Sequence, residues 1–364
     1  MAPQLELGLD TFGDVTVDSA GRRLPQARVI RDVVDEGVLA DEVGLDFFGI
    51  GEHHRDDFSV SAPDVVLAAI AARTSAIHLG SAVTVLSSDD PVRVFQRFST
   101  LDAVSNGRAE LILGRGSFIE SFPLFGYALE DYEVLFEEKL ELFVALLEER
   151  PVTWTGRTRA PLERQRVFPP TESGRLRAWV GVGGSPQSVV RAARHGLPLV
   201  LAIIGGEPRR FAPLVDLYHR ALEQFGNPRQ PVAAHCPGHV AGTDEQARDE
   251  LWPHYAAMHA RIGRERGWSP MTREQFDQAC GPEGALFVGS PATVATKIVA
   301  VADVLGLARF DLKYSAGTLP HDSMMASIDL HGRKVAPLVR EQLSGTGDGV
   351  ASAGPSGVAG TQSP

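Results

Sequence analysis

Apolar runs of strand length alternate along this chain with stretches whose apolar residues recur at helical spacing. Leu5–Phe12 reads as a strand, and Ala27–Gly44 as a helix that Gly44 closes as a C-cap. Phe47–His54 reads as the second strand, and Ala62–Thr74 as a helix with Pro63 in its first turn. Ile77–Leu86 and Pro91–Asn106 form the third pair. Arg108–Gly116 is the fourth strand, followed by a helix over Asp131–Glu149 with Val134, Leu135, Leu142 and Leu146 on one face. A polar, proline-bearing stretch from Pro151 to Pro170 reads as a surface excursion. Then come a strand over Arg177–Gly184, a helix over Ser185–Gly196, a strand over Pro198–Ile204 and a helix over Glu207–Gly226. Pro231–Gly242 is the seventh strand, Thr243–Gly267 a long polar helix and Trp268–Leu286 irregular. A short helix begins at Ser290-Pro291, Ala308–Gly317 is the eighth strand and His321–Leu343 closes the chain.

Strict strand–helix alternation implies a parallel sheet, and eight units favour closure. The expected fold is α/β, a (β/α)8 TIM barrel with a lid-like insertion after the seventh strand. A doubly wound sheet is the alternative that the pattern leaves open. Residues 1–343 read as one barrel domain, and 344–364 as a disordered tail rich in Gly, Ser and Ala.

Composition narrows the chemistry. The chain has 364 residues, 43% hydrophobic and 22% charged, as in an ordinary globular enzyme. A net charge of −11 argues against broad contact with nucleic acid or anionic lipid. No apolar run reaches the ~18 residues that span a membrane. Two cysteines, Cys236 and Cys280, make no disulfide framework, and the N-terminus carries no basic-then-apolar leader. A cytoplasmic location is expected.

In a barrel the active site lies at the C-terminal strand ends, and the unusual residues fall there. The second strand ends in Glu52-His53-His54, where an imidazole can serve as acid or base. A pair of hydrogen-bonding histidines is the structural alternative. Adjacent histidines on an extended strand cannot easily ligate one ion, so no metal site is expected. The third strand carries small residues through Gly80-Ser81-Ala82-Val83-Thr84, which let a flat ring approach the backbone or simply pack tightly. Gly114-Arg115-Gly116 ends the fourth strand; a guanidinium between glycines suits a phosphate, or is a surface arginine in a turn. Gly183-Gly184-Ser185-Pro186-Gln187-Ser188 opens a helix whose free amides and dipole suit an anion. The fourth and fifth strands adjoin in a barrel, so both features could share one phosphate. Gly289-Ser290-Pro291 repeats the pattern and is either a rival phosphate site or a plain cap.

Together with Asp90-Pro91-Val92-Arg93, Leu101 to Arg108 and Phe287-Val288-Gly289-Ser290-Pro291, these pieces resemble the luciferase-like flavin-dependent monooxygenases, relatives of bacterial luciferase. The resemblance covers nearly all of the chain except the tail. It implies that His53 is the catalytic histidine near the flavin. It implies that Ala82 and Val83 form a non-prolyl cis peptide beneath the isoalloxazine ring. Arg115 and Gly116, with Gly184, Ser185 and Ser188, match the site that binds the FMN phosphate. The stretch from about Arg261 to Leu286 matches a long mobile loop that closes over the flavin. Gly184 stands where luciferase has an acidic residue, and Gly114 where it has a reactive cysteine, so light emission and long-chain aldehyde oxidation do not follow.

The function expected from this resemblance is an FMNH2-dependent monooxygenase that adds oxygen to a small organic substrate through a peroxyflavin. A separate flavin reductase would supply the reduced FMN, and the family implies a homodimer. Hydride transfer with F420, or flavin binding without turnover, are the alternatives. An aldolase-like barrel would need a lysine at a strand end, for which Lys313 is the candidate.

Overall fold

The computed structural model describes residues 4–18, 20–116 and 118–345. Along the chain, β1 (Glu6–Thr11) leads to α1 (Gln26–Glu42), β2 (Phe47–Ile50) to α2 (Pro63–Ala71), and β3 (His78–Val85) to α3 (Pro91–Val104). Next come β4 (Ala109–Gly114), the short α4 (Ser121–Phe125) and α5 (Tyr132–Leu146). A hairpin of β5 (Val152–Trp154) and β6 (Leu162–Gln165) precedes β7 (Arg177–Val182) and α6 (Pro186–Arg194). Then β8 (Leu199–Ala202) leads to α7 (Ala212–Gln224), and β9 (Val232–Val240) to α8 (Asp244–Arg266) and α9 (Arg273–Cys280). The last units are β10 (Phe287–Gly289), α10 (Pro291–Leu305), β11 (Arg309–Lys313), α11 (His321–Leu330) and α12 (Ala336–Gly345).

Eight of these strands close a parallel barrel in the order β1-β2-β3-β4-β7-β8-β9-β11, with β11 pairing back onto β1. The barrel strands read as continuous apolar runs because helices cover the outside and side chains fill the inside. Phe47, Ile112, Trp179, Val200 and Ala233 pack within the barrel. The larger core lies between strands and helices.

The barrel floor is polar. Arg309 is fully buried and ion-paired with Glu110, with Asp311 3.1 Å from its Nε. Its guanidinium also lies 4.0 Å from the Phe47 ring centroid and 4.5 Å from that of Trp179. Trp179 donates its indole N–H to Glu110 at 3.1 Å. A buried charge is tolerated only when paired and hydrogen-bonded in this way.

The structure corrects several expectations. The Pro151–Pro170 excursion contains the β5–β6 antiparallel hairpin. The stretch from Trp268 to Leu286 is not irregular: α9 begins on a capping box in which Thr272 and Gln275 serve each other's backbone N–H. The lid expected as a mobile loop is therefore helical along much of its length. β10, not foreseen, pairs with the last residues of β9. β2 stops at Ile50, so Glu52, His53 and His54 stand in the following loop rather than on the strand. α12 ends at Gly345, and the expected tail beyond it lies outside the described residues. No helix among the described residues is long and apolar enough to cross a membrane.

Candidate active site

A cavity of about 790 Å³ opens at the C-terminal ends of the barrel strands and is roofed by α8, α9 and the turn between them. Roofing residues include Tyr255, Met258, Trp268 and Met271. On its floor, the peptide bond between Ala82 and Val83 is cis, and β3 bulges there against β4. Gly114 makes room for this feature: a Cβ at that position would lie 2.5 Å from Val83 Cγ2. Any larger residue there, cysteine included, would collide with Val83.

His53 faces this cavity from the β2–α2 loop. Its ring centroid lies 4.6 Å from Phe12, 4.5 Å from Phe58 and 5.4 Å from Phe118. Burial in this aromatic cage is the main cause that drives its pKa down to about 3; nearby Asp14 opposes the shift. His53 is thus a neutral imidazole at physiological pH. His54 turns away and pairs with Glu52 at 2.9 Å, and Glu52 also accepts the Val85 backbone N–H at 2.8 Å.

A second cluster, built on β1, β9 and β11, was not singled out from the sequence apart from Lys313. His235 Nδ1 lies 2.6 Å from Asp10 Oδ2. Asp311 sits beside His235 in the strand register. Burial pushes the Asp311 carboxyl up to about 7, against the pull of Arg309. Lys313 is 2.9 Å from Asp14 and 4.6 Å from the Phe12 ring centroid. Held by that carboxylate, Lys313 is an ion-pair partner rather than a free amine poised for an aldolase. The available signal was polar residues inside apolar strand runs, Asp10 in LELGLDTF and His235 in VAAHCPGHV.

The opposite side of the cavity is suited to an anion. Arg115 and Gly116 line it from the β4 end, and Gly183 and Ser188 from the β7–α6 turn. Arg115 is ion-paired with Glu133 and lies 4.9 Å from the Tyr132 ring centroid. Ser185 caps α6, accepting the Ser188 N–H at 3.4 Å. Gly184 has φ of +113°, a backbone conformation that favours glycine. Gly184 and Ser185 shape the turn without lining the cavity. Ser188 Oγ is buried with no hydrogen-bond partner among the described residues. The rival Gly289-Ser290-Pro291 turn is a cap: Ser290 Oγ accepts the Thr293 N–H, while Asp244 accepts the Ser290 N–H at 2.7 Å. A carboxylate already occupies that helix start.

A closed parallel barrel with a roofed, aromatic-walled cavity at its C-terminal mouth is the architecture of a barrel enzyme. This chain belongs to the luciferase-like monooxygenase family, whose model matches residues 11–307. The uncharacterized protein y4vJ of Sinorhizobium fredii is 23% identical over 342 residues, 89% of this chain and 95% of that one. The alkanal monooxygenase alpha chain of the Kryptophanaron alfredi symbiont is 25% identical over 237 residues, 65% of this chain and 66% of that one. Among solved structures, monooxygenase RslO1 from Streptomyces bottropensis superposes with a TM-score of 0.79 at 21% identity, covering 92% of this chain and 99% of that one. The oxygenating constituent of 3,6-diketocamphane monooxygenase from Pseudomonas putida, in complex with FMN, gives 0.74 at 18% identity, covering 92% and 98%. An F420-dependent secondary alcohol dehydrogenase gives 0.70 at 15% identity, covering 92% and 99%.

Proposed function

We propose that this protein is a monooxygenase that uses reduced FMN, delivered by a separate reductase, to oxidise a small organic substrate. The observation that carries the reading is the anion-ready side of the cavity. Ser188 Oγ is buried and, among the described residues, unpartnered beside the start of α6, and Arg115 lines the same cavity. A phosphate would satisfy that hydroxyl and meet the guanidinium. The groups present therefore fit FMN: a phosphate side, a floor of small residues over Ala82 and Val83, and apolar walls for a flat ring system.

When bound, reduced flavin supplies the electrons that activate oxygen; the hard chemistry is the cofactor's. The protein's tasks are to bind, orient and keep water out. Arg115 and Ser188 hold the phosphate. His53, neutral and caged by Phe12, Phe58 and Phe118, offers a hydrogen bond to the ring system without placing a charge there. The roof formed by α8 and α9 shields the reacting centre.

The test is equilibrium titration of the protein with FMN, reduced FMN and F420, followed by flavin fluorescence and melting temperature, with Arg115→Ala alongside. FMN or its reduced form is expected to bind and to raise the melting temperature. Arg115→Ala is expected to weaken binding by roughly 1.5–3 kcal/mol, as for a hydrogen bond to a charged group. Binding of F420 alone would move the reaction to hydride transfer, and binding of none would end the flavin reading.

A further inference from the structure

We infer that His235, oriented by Asp10, is the base that takes a proton from the substrate, and that the substrate is a flat, largely apolar molecule bearing an acidic hydroxyl, such as a phenol or an enol. This inference rests on the oxygenase reading above and extends it to the substrate.

The argument starts from the two ring nitrogens of His235. Nδ1 lies 2.6 Å from Asp10 Oδ2, and both side chains are buried. A carboxylate accepts, so Nδ1 carries the hydrogen, and in the neutral ring the lone pair then lies on Nε2. Nε2 has no partner among the described residues, and His235 lines the cavity. Asp10 thus fixes the tautomer and steadies the imidazolium that forms on protonation, the logic by which a positioned carboxylate activates a base.

His53 has no such partner. Aromatic rings surround it, and burial holds its pKa at about 3, so a proton taken there would be poorly kept. The charged and titratable groups around His235 are few. Asp10 faces it from β1, Asp311 and Lys313 stand on β11, and His53 lines the same cavity. From β8 its strand neighbour is Ala202, which contributes no charge. Lys313 is already paired with Asp14.

The cavity walls give the substrate class. Phe12 lies nearly parallel to His235, at 14° and 6.3 Å between ring centroids, and Phe58, Phe118 and Trp268 complete an aromatic surround. Rings in such a surround favour a flat partner. A lone-pair nitrogen beside that slot is placed to take the proton of a substrate that has one to lose. In the step, the substrate O–H bond breaks, its electron pair stays on the substrate oxygen, and the proton moves to Nε2. No oxidant or reductant takes part in this transfer; it raises electron density on the ring or double bond that is then oxygenated.

The test uses the whole protein without flavin and 4-nitrophenol as probe, because its ionised form is coloured. Wild-type protein is expected to bind the probe as phenolate, with the ionisation midpoint about one pH unit, tenfold, below that in His235→Gln and Asp10→Asn. A probe bound only as the neutral phenol, or not bound, overturns the inference. Nitrogen NMR of histidine-labelled protein gives the second reading. The Nδ1–H tautomer is expected at His235 in wild type, with the hydrogen moved to Nε2 in Asp10→Asn; a wild-type His235 with its hydrogen on Nε2 also overturns it. A wild-type protein that binds no flavin would fail the oxygenase reading instead, and the two failures are therefore separable.

Discussion

Arg55 Nη2 lies 2.6 Å from Glu265 Oε1, which ties the loop that carries His53 to the last turn of the roofing helix α8. Arg55 also pairs with Asp57 at 2.9 Å, and Arg261 of α8 reaches Asp57 at 3.2 Å. The Arg55 guanidinium stacks 4.3 Å from the Phe118 ring centroid. Loop, aromatic cage and roof are therefore linked at one corner of the cavity mouth. Glu265 is 46% exposed, so solvent screens the pair and its share of stability is only about 0.2–1 kcal/mol. Glu265→Gln is expected to leave the melting temperature nearly unchanged and to raise hydrogen exchange in the last turn of α8. High salt should loosen the wild type in the same way. Unchanged exchange in this turn would mean that the ion pair does not hold the roof.

Glu133 competes with an incoming phosphate for Arg115. It accepts Arg115 on one oxygen and Arg191 on the other, the latter at 2.8 Å. Binding an anion at Arg115 means sharing or displacing that carboxylate. Glu133→Gln is expected to tighten FMN binding by up to about 1 kcal/mol, roughly fivefold, the scale of a partly exposed charge pair. Riboflavin, which lacks the phosphate, should bind the variant and the wild type alike. Equal gains for both ligands would show that the phosphate lies elsewhere.

Much of this arrangement was legible in the sequence, and the reason is distance along the chain. The cap at Asp90, which accepts Val92 and Arg93 N–H groups, is local. So is the Ser185 cap of α6, followed by Pro186. Strand–helix alternation exposed the barrel because each unit is built from neighbours. The pairing of Asp10 with His235 joins residues 225 positions apart, and nothing local marks it. The Arg309–Glu110 pair at the barrel floor is similarly remote. β10 has only three residues, too short for a periodic signal. The capping box of α9 was present in Thr272 and Gln275, but its charged, glycine-flanked setting looked like loop.

Gly114 is fixed by contact. An added Cβ would meet Val83 Cγ2 at 2.5 Å, Cβ at 3.0 Å and Cγ1 at 3.2 Å. These are atoms of a short branched side chain with little freedom to move. Gly114→Cys is expected to destabilise the fold by about 1–3 kcal/mol through overpacking, measured by denaturant unfolding. Adding Val83→Ala should recover part of the loss, because the two positions are in contact and their effects are not additive. Full stability in the single variant would show that the floor has room to adjust.

His331 is the cleanest place to read acid sensitivity. It is fully buried in the π-helical turn between α11 and α12, and neither ring nitrogen has a hydrogen-bond partner among the described residues. Burial alone holds its pKa down to about 4. In the unfolded chain the ring titrates near its ordinary value of about 6.5. Between these values the unfolded state binds a proton that the folded state refuses. The stability contributed by the neutral ring is therefore complete above about 6.5 and is lost as pH falls toward 4, by at most about 1.4 kcal/mol per pH unit. His53, held at about 3, and His195, held at about 4, act with the same sign. Asp311, raised to about 7, acts with the opposite sign: its contribution is present below the ordinary carboxylate range and lost as pH rises through 7. Removing one histidine isolates its share. Melting curves of wild type and His331→Leu from pH 7 down to pH 5 are expected to diverge, the variant losing less stability over that interval. Parallel curves would mean that His331 is already protonated, or reaches water, in the folded state.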